Sequence, residues 1–426
     1  LGGMSLRALT IESYKCFDRK QTVELRPLTV LLGRNNAGKS ALARLPAVVS
    51  TGMRTGSGAP IEMESLGIDV AGTFTDLIFG HRPHGSIHIG QRFETESMGT
   101  INVESEVQNI DEYQIQLVSR FVLSVQGRRL ELNWDLSDPR SHDRWYEFSK
   151  NGSSWAMGVH FAGLLPEAIT PGHAFDHDDL DVFLRAIHLI RDDFPTIRYV
   201  GPFRHQPHRY YRLPARAPDA VGVMGEATPT IVADDRFRRS GLLVDQINAY
   251  FRRELPGWLV DVDIQNNLYS LVLASTSSPE IRVNLVDTGT GIAQALPILV
   301  QRAMDGLHPP ARSTLEIIEQ PELHLHPAGH AALADLYIAG VKQPSCSFIV
   351  ETHSETFILR LRRRIAEGSL DPDKIALYFV DHDGTSAQVR HIELDRLGNV
   401  ENWPDGIFTE DYREVRALAD AQNSRM

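Results

Sequence analysis

A short glycine-rich segment of this chain has the residue types that bind nucleotide phosphates. Residues 33–40 read GRNNAGKS and match the pattern G-x-x-x-x-G-K-[ST] at every fixed position. Glycines let backbone N–H groups turn toward phosphate oxygens, and the N-terminus of a following helix adds partial positive charge. We therefore predict that Lys39 contacts the β- and γ-phosphates of a nucleotide and that Ser40 holds Mg²⁺. The predicted phosphate contacts are Gly33, Asn35, Asn36, Ala37, Gly38, Lys39 and Ser40.

The residues on either side of this loop have the patterns of a strand and a helix. The apolar run 28–32 leads directly into it, and residues 40–45 can begin a helix. Residues 4–32 alternate apolar and polar side chains, which predicts two or three strands ending at the loop. A glycine-rich turn before a helix is the alternative interpretation, but strand, loop and helix together favour nucleotide binding.

Length and composition limit the class of protein. The chain has 426 residues, with 42% hydrophobic and 23% charged residues, which is typical of a globular protein with a substantial core. The net charge of −12 argues against a surface that is basic throughout, but a local basic groove remains compatible with it. Cys16 and Cys346 predict no disulfide framework, so we expect a cytoplasmic protein. No apolar run is long enough to predict a membrane span.

Sequence periodicity predicts an antiparallel region followed by an alternating one. Residues 86–135 contain closely spaced strand patterns, whereas 51–60 are predicted to be a flexible connection and 136–180 to be irregular. Residues 240–254 have helical spacing with Ser240 as the expected N-cap. Strand and helix patterns then alternate from a strand at 282–286 to one at 376–381, which predicts a parallel sheet with crossover helices.

An apolar strand that ends in carboxylates has the form of a Walker B element. Residues 314–318 read TLEII and are followed by Glu319, Gln320 and, after a proline, Glu322. A carboxylate at the carboxyl end of such a strand can organise Mg²⁺ beside a phosphate-binding loop. Glu319 is our candidate for that role, and a buried strand with a polar exit is the alternative.

Two further segments are weak signals when each is taken alone, but their order along the chain is informative. Residues 287–294 read DTGTGIAQ and precede an apolar helix, so their glycines could form a second anion site. Residues 348–354 read FIVETHS and place His353 after a strand. Their positions before and after the Walker B strand match those of a signature loop and of a histidine that senses the γ-phosphate.

Together these segments resemble the compact ABC-type ATPases of the RecF, SMC and OLD (overcoming lysogenization defect) superfamily. The resemblance is carried by GRNNAGKS, DTGTGIAQALPILV, IIEQPELHLHP and ETHSETFILRLR and extends over most of residues 4–410. It implies an α/β P-loop NTPase head with a parallel core sheet, an antiparallel β lobe and a helical signature lobe. Its implied cofactors are ATP and Mg²⁺, and many relatives act in bacterial anti-phage defence.

The resemblance also implies the organisation of the chain. One head would occupy residues 4–410, divided into 4–95 with the P-loop, an inserted β-rich and irregular region at 96–190, a helix and strand lobe at 195–280, and the signature, Walker B and histidine lobe at 281–400. Residues 401–426 would be a C-terminal tail. OLD nucleases carry an additional Toprim domain, and its absence after His353 implies a separate effector protein as partner. Asp381-His382-Asp383 is expected to be a hairpin turn and not a metal site.

In this family two heads enclose two ATP molecules, so the resemblance implies a homodimer or a higher assembly. Lys39, Ser40 and Glu319 would act in one subunit, while His353 would sense the γ-phosphate. The signature contacts to the nucleotide of the opposite subunit would be Gly289, Thr290, Gly291 and Gln294.

Two departures from the family pattern predict slow hydrolysis. Gln320 occupies the position of the usual catalytic glutamate, and an amide cannot accept a proton at neutral pH; general-base catalysis is typically worth about 10²–10⁴-fold. Glu322 or His353 could substitute, and a glutamine can still orient water. Ala293 stands where many signature loops have serine, which leaves Thr290 as the candidate hydroxyl.

Three hypotheses about function follow. The first is an ATP-dependent dimerising switch that acts on an effector nuclease or toxin. The second is a non-catalytic, nucleotide-bound scaffold or inhibitor, and the third is a RecF-like repair ATPase that acts on DNA. Residues 198–216 interleave arginines with aromatic residues and could bind nucleic acid, although a solvated, partly structural loop is the simpler interpretation.

Overall fold

The computed structural model of the protein describes residues 3–54, 56–141, 144–150, 153–170, 177–212, 214–403, 416–418 and 420–422. Its α-helices are α1 (Lys39–Ala43), α2 (Leu45–Arg54), α3 (His177–Asp193), α4 (Thr228–Arg238), α5 (Leu242–Glu254), α6 (Thr290–Leu307), α7 (Pro327–Gly340) and α8 (Glu355–Ala366). Its strands are β1 (Ser5–Glu12), β2 (Gln21–Glu24), β3 (Leu28–Gly33), β4 (Glu64–Ser65), β5 (Ile68–Asp69), β6 (Ser86–Thr95), β7 (Gly99–Ile110), β8 (Ile115–Val125), β9 (Arg128–Trp134), β10 (Arg144–Lys150), β11 (Ser153–Ala162), β12 (Leu165–Thr170), β13 (Thr196–Val200), β14 (Tyr211–Arg212), β15 (Trp258–Gln265), β16 (Leu268–Ser275), β17 (Arg282–Asn284), β18 (Thr314–Glu319), β19 (Cys346–Glu351), β20 (Ile375–His382) and β21 (Ala387–Ile392).

A mostly parallel sheet carries the predicted nucleotide motifs. Its strand order is β13-β18-β19-β3-β20-β21, and β21 at one edge runs antiparallel to β20. β3 lies between β19 and β20, so the loop that follows β3 opens between two neighbouring strand ends. Ligands in α/β sheets bind outside the carboxyl ends of the strands. The predicted parallel core sheet is confirmed.

The side chains of β3 alternate between two hydrophobic cores. Leu31 belongs to a core shared with the antiparallel strands and α1–α3. Val30 and Leu32 belong to a second core that contains residues of α4–α8. Because both faces of the sheet are covered, its strands are apolar without interruption, which explains why residues 28–32 are a continuous hydrophobic run.

A larger antiparallel sheet packs on the first core and confirms the predicted β lobe. Its strand order is β12-β11-β10-β9-β8-β7-β6-β1-β2. The lobe is more than an insertion after the P-loop helix, because β1 and β2 from the N-terminus pair with β6 and with each other. A smaller antiparallel sheet of β14–β17 lies beside α4 and α5.

Two regions predicted to lack regular structure contain it. Residues 136–180 were expected to be irregular, but β10, β11 and β12 extend the large sheet, and α3 begins at 177. Tyr146 and Phe148 are buried on alternate positions of β10, which pairs with β9 and β11, its neighbours along the chain. Residues 51–60 were expected to be a connection, but α2 continues to Arg54 because most of its side chains are buried.

Two local boundaries also differ from prediction. Ser240 was expected to cap α5, but the N-cap is Gly241, whose φ of 76° is easily reached by glycine. The strand predicted at 282–286 ends at Asn284 and pairs antiparallel with β16 in the small sheet, not with the parallel sheet. Hydrophobic periodicity does not specify which sheet a short strand joins.

A buried ion-pair network connects α6 to β18 and β13. Arg302 bonds to Glu316 and also donates to Asp305 at 2.5 Å. Arg198 donates to both oxygens of Asp305 at 2.7 and 2.9 Å. Arg302, Asp305 and Glu316 are all buried. The network therefore fastens the helix that begins at the predicted signature loop to the predicted Walker B strand.

Candidate nucleotide-binding site

The predicted phosphate-binding loop connects the end of β3 to the start of α1. Gly33 has a φ of +149°, and a Cβ there would lie 2.1 Å from the carbonyl oxygen of Val380. Gly38 caps α1 with a φ of +102°, and a Cβ there would lie 2.5 Å from Sγ of Cys16. Both positions therefore require glycine, since any side chain would collide with a neighbouring segment.

Lys39 lies folded against its own loop. Its Nζ donates to the carbonyl oxygens of Gly33 at 3.1 Å and Arg34 at 2.6 Å. Burial lowers the pKa of Lys39, and the charges of Glu351 and Glu322 oppose that shift. The ammonium group is thus held inside the loop and near two carboxylates, where it could meet a phosphate.

The ends of β18 and β19 place two carboxylates side by side. In the parallel register of these strands, Glu319 pairs directly with Glu351. Arg44, at the end of α1, binds Glu319 with two parallel hydrogen bonds, from Nε at 2.5 Å and Nη2 at 2.7 Å. Glu319 is 2% exposed. The carboxylate that the sequence predicts for Mg²⁺ therefore has both oxygens engaged by an arginine.

Glu351 is the carboxylate that the Ser40 side chain reaches. The Ser40 side chain favours the charged form of Glu351, and Oε2 of Glu351 is buried without a hydrogen-bond partner. Burial, and next the charge of Glu319, raise the pKa of Glu351 to about 7. Buried polar atoms are normally hydrogen-bonded, so an orphaned carboxylate oxygen beside the loop marks a place suited to a cation or a donor.

The other predicted catalytic residues surround these carboxylates. Gln320 adopts a φ of 46°, and its backbone N–H donates to the carbonyl oxygen of Glu351 at 2.8 Å. Glu322 accepts from the backbone N–H of His353 at 2.7 Å through Oε1, and its Oε2 is buried without a partner. Desolvation, and next the charge of Lys39, lower the pKa of His353 to about 4, so the imidazole is neutral at pH 7.

A cavity of about 590 Å³ brings Lys39, Gln320, Glu351 and His353 together, whereas the predicted Glu319 and Glu322 are not among its lining residues. Its size lies in the range of ordinary ligand sites, which is about 300–1,000 Å³. P-loop residues form one wall, and Gln320, Glu351 and His353 form another. The remaining lining residues are Lys15, Cys16, Ala41 and His382. The structure thus gathers the predicted P-loop and switch residues from separate segments around one cavity.

Several lining residues were not predicted from the sequence. Glu351 could have been, because it ends an apolar strand directly before Thr352 and His353, the same pattern that singled out Glu319. Lys15 and Cys16 lie in the turn between β1 and β2 and have no motif of their own. His382 ends β20 and reaches the cavity only because β20 pairs with β3.

The predicted signature loop lies outside this cavity. Gly289 caps α6, and Gly289 and Thr290 are exposed. Gly289 and Gly291 line a separate cavity of about 360 Å³, whose other walls include Tyr250, Phe251, Leu325 and His326. A Cβ at Gly291 would lie 2.5 Å from the carbonyl oxygen of His324, so this glycine permits a close backbone contact. The chain does not bring its own signature glycines to its own P-loop cavity.

Gln294 contacts the backbone of Arg204. Its Oε1 accepts from the Arg204 N–H at 3.3 Å, and its Nε2 donates to the Arg204 carbonyl at 3.1 Å. Arg204 is buried and donates from Nη2 to the carbonyl oxygens of Glu319 and Gln320. The predicted contact between Gln294 and a nucleotide stays a prediction, and it would require these hydrogen bonds to open.

The arginines of residues 198–216 are largely engaged within the chain. Arg204 is buried, and three other arginines form ion pairs with carboxylates, namely Arg198 with Asp305, Arg209 with Asp287, and Arg216 with Asp219. These acidic partners reduce the positive charge available to nucleic acid.

The donor set at the P-loop fits Mg²⁺ of the kind that accompanies nucleotides. Such ions usually take one or two carboxylates, waters and substrate phosphates instead of a cage of side chains. Ser40 and one of the paired carboxylates meet that requirement. Among the residues that the structure describes, no group of three or more His, Cys, Asp or Glu could hold a metal ion. Asp381-His382-Asp383 lies where β20 turns into β21, as predicted for a hairpin.

Comparison with solved structures relates the fold to SMC head domains. The SMC head bound to the C-winged helix domain of ScpA aligns with a TM-score of 0.50 at 13% identity, covering 92% of this chain and 98% of that one. The SMC head with an extended coiled coil from Pyrococcus furiosus, bound to the C-terminal domain of ScpA, aligns with a TM-score of 0.49 at 12% identity, covering 97% of this chain and 100% of that one. The first likeness confirms the predicted ABC/SMC-like head fold.

Comparison by sequence is less specific. Residues 370–418 match a family model described as "Protein of unknown function (DUF3696)", and residues 404–415 of that match lie outside the described part of the chain. No curated protein matches the chain. The predicted C-terminal tail, 401–426, lies mostly outside the described residues. Within the described residues, no helix has both the length and the apolar character needed to cross a bilayer.

Proposed function

We propose that this protein binds ATP with Mg²⁺ and hydrolyses it slowly as an ATPase of the ABC/SMC type. The observation that carries the proposal is the P-loop cavity, which Lys39 and Ser40 line together with Glu351, the residue that pairs with Glu319 on the neighbouring strand. A P-loop pattern alone could be a structural turn. Buried carboxylates at its base are what a bound nucleotide with its cation would require.

The residues of this chain would divide the chemistry as follows. Lys39 would leave the carbonyls of Gly33 and Arg34 and neutralise phosphate charge. Bound Mg²⁺ would neutralise charge on the phosphate oxygens. Gln320 lines the cavity and could orient an attacking water, but its amide cannot take the proton from it. Slow turnover and a long-lived ATP-bound state follow from that substitution.

We further propose that two copies of the chain pair around two ATP molecules. The signature glycines lie outside the P-loop cavity of their own chain, and Gly289 and Thr290 are exposed. A second copy could present this loop to the bound nucleotide, and the N-terminus of α6 would then favour its phosphate charge. His353 lines the cavity and would contact the terminal phosphate as a neutral imidazole.

The output of this switch would be a partner protein. The similar SMC head binds the winged-helix domain of ScpA, and the resemblance to OLD-like ATPases points to a nuclease or toxin of bacterial anti-phage defence. We propose that formation of the ATP-bound pair changes how such an effector is presented. Co-purification of the chain with the products of neighbouring genes, with ATP and without it, tests this part separately from ATP binding.

Single-turnover hydrolysis of radiolabelled ATP tests the enzymatic proposal. We expect slow turnover by the natural chain and faster turnover by Gln320→Glu, toward the roughly 10²–10⁴-fold that a general base contributes. Gln265→Glu is the matched control, because it adds the same charge at an exposed position at the end of β15, away from the cavity. Equal rates for the natural chain and Gln320→Glu would contradict the proposed role of Gln320.

A non-catalytic scaffold is the second candidate, and Gln320 is the observation that favours it. This candidate predicts ATP-dependent dimers with no measurable turnover, even in Gln320→Glu. Light scattering with ATP and the hydrolysis assay distinguish it from the slow ATPase. Hydrolysis that DNA stimulates would instead support a RecF-like repair enzyme, which the carboxylate partners of the 198–216 arginines disfavour.

A further inference from the structure

The two carboxylates at the base of the P-loop have different partners. Glu319 receives two charge-assisted hydrogen bonds from Arg44, in the planar geometry in which arginine binds carboxylate most strongly. Arg44 also lies over the ring of Tyr199, with 5.5 Å from its guanidinium carbon to the ring centroid. Glu319 is therefore neutralised and oriented by contacts that need no metal.

Glu351 has no such arginine. It is 3% exposed, its Oε2 has no hydrogen-bond partner, and it lines the P-loop cavity together with Ser40. Ser40 is the P-loop residue whose hydroxyl is expected on the cation, and it lines the same cavity as Glu351, where it favours the charged form of that carboxylate. The serine hydroxyl and an uncompensated carboxylate thus meet without any rearrangement of the strands.

We infer that Glu351 supplies the protein carboxylate that binds Mg²⁺ in the ATP complex, and that Glu319 serves as the structural partner of Arg44. This inference rests on the proposed binding of ATP and reverses the roles expected from the Walker B pattern. Glu319 then acts through Arg44, which it fixes at the end of the P-loop helix. Mg²⁺ is bound by few protein groups, so the loss of one carboxylate should be measurable.

The inference is tested by equilibrium binding of mant-ATP, measured by fluorescence in Mg²⁺ and again in EDTA. We expect the natural chain to bind at least tenfold more tightly with Mg²⁺. Glu351→Gln should lose most of that enhancement while keeping its affinity in EDTA, and Glu351→Asp should recover part of it. Glu319→Gln should retain the enhancement but unfold at a lower temperature, because Arg44 loses its charged partner.

A second readout does not depend on fluorescence. Mn²⁺ bound with ATP gives an electron paramagnetic resonance signal that should weaken in Glu351→Gln and persist in Glu319→Gln. Retention of the Mg²⁺ enhancement and of the Mn²⁺ signal in a folded Glu351→Gln variant would overturn the inference while ATP binding stands. The inference would also be overturned if a folded Glu319→Gln variant lost the Mg²⁺ enhancement and the Mn²⁺ signal while Glu351→Gln kept both. Failure of the natural chain to bind mant-ATP in either condition would overturn the proposed function itself.

Discussion

The P-loop cavity and the signature loop both place glycines at the start of a helix, but their surroundings differ. The P-loop is enclosed by strand ends, and its lysine, serine and neighbouring carboxylates are close together. The signature loop has exposed glycine and threonine at its tip and apolar side chains behind it. Charged groups converge on the first loop, whereas the second presents mainly backbone.

This difference indicates that the two loops depend on different partners. The P-loop cavity could bind phosphates within one chain, since the Lys39 ammonium and the Glu351 carboxylate already line it. The signature loop offers backbone groups at the N-terminus of α6. Because this loop lies outside the P-loop cavity of its own chain, these groups could contact only a nucleotide that a second chain holds. The buried network of Arg302, Asp305 and Glu316 connects the two regions through α6 and β18.

The largest expected effect comes from breaking the buried ion-pair network between α6 and β18. Glu316→Gln should destabilise the fold by about 3–5 kcal/mol, because Arg302 and Arg198 would then share the single carboxylate of Asp305 and leave an uncompensated buried charge. Urea denaturation followed by circular dichroism measures this loss. Replacing both partners, Arg302→Met with Glu316→Met, should restore part of the stability, because no buried charge is then left unpaired between them. A Glu316→Gln variant as stable as the natural chain would show that the network does not fasten α6 to β18.

Removing the Lys39 ammonium should weaken ATP binding in the P-loop cavity and leave the signature loop unchanged. Lys39→Ala should weaken ATP binding about 10- to 150-fold, since a charge-assisted hydrogen bond is worth about 1.5–3 kcal/mol. Isothermal titration calorimetry measures the affinity. Lys20→Ala is the control, because Lys20 is half exposed and forms only a surface ion pair with Glu104. Unchanged ATP affinity in Lys39→Ala would argue that ATP does not bind in the P-loop cavity.

The smallest effects distinguish two neighbouring glycines of the signature loop. Gly291→Ala should cost about 1–3 kcal/mol, because its Cβ would press on the carbonyl of His324. Gly289→Ala should stay within about 0.5 kcal/mol of the natural chain, because nothing lies within 4 Å of a Cβ there. Thermal unfolding of the two variants side by side gives the comparison.

Gly289 also tests the proposed pairing of heads. A bulkier Gly289→Val side chain should leave the ATP affinity of the single chain unchanged and reduce ATP-dependent dimers in light scattering. Dimers of normal strength in Gly289→Val would argue that the exposed tip of the loop does not face a second copy.

Much of the fold could be predicted from local patterns. The apolar run 28–32 and the glycines that follow it specify strand, loop and helix within a dozen or so residues, where short-range sterics dominate. The helices near 292, 327 and 355 follow from periodicity and caps, such as Ser354, whose side chain accepts from the Phe357 N–H. The parallel core sheet follows from alternating strands and helices.

Other features had no local signal. β10, β11 and β12 form because β10 pairs with β9 across a connection of mostly polar residues and with β11 on its other side, and this pairing outweighs their mixed composition. Gln294 had the position of a signature residue, but a backbone segment far away in sequence occupies its amide. The 198–216 arginines looked like a basic surface because the carboxylates that pair with them are mostly distant in sequence.

The sequence by itself determined the parallel core and the strand, glycine loop and helix at 28–43, and it predicted phosphate binding there and a glutamine at the catalytic position, because each depends on neighbouring residues or on periodicity. Only the tertiary structure decided which carboxylate each P-loop residue meets. Arg44 and Glu319 are separated by 275 positions, and the parallel register of β18 and β19 places Glu351 beside Glu319. The sheet and the buried ion pair fix these neighbours, and no pattern within one segment specifies them.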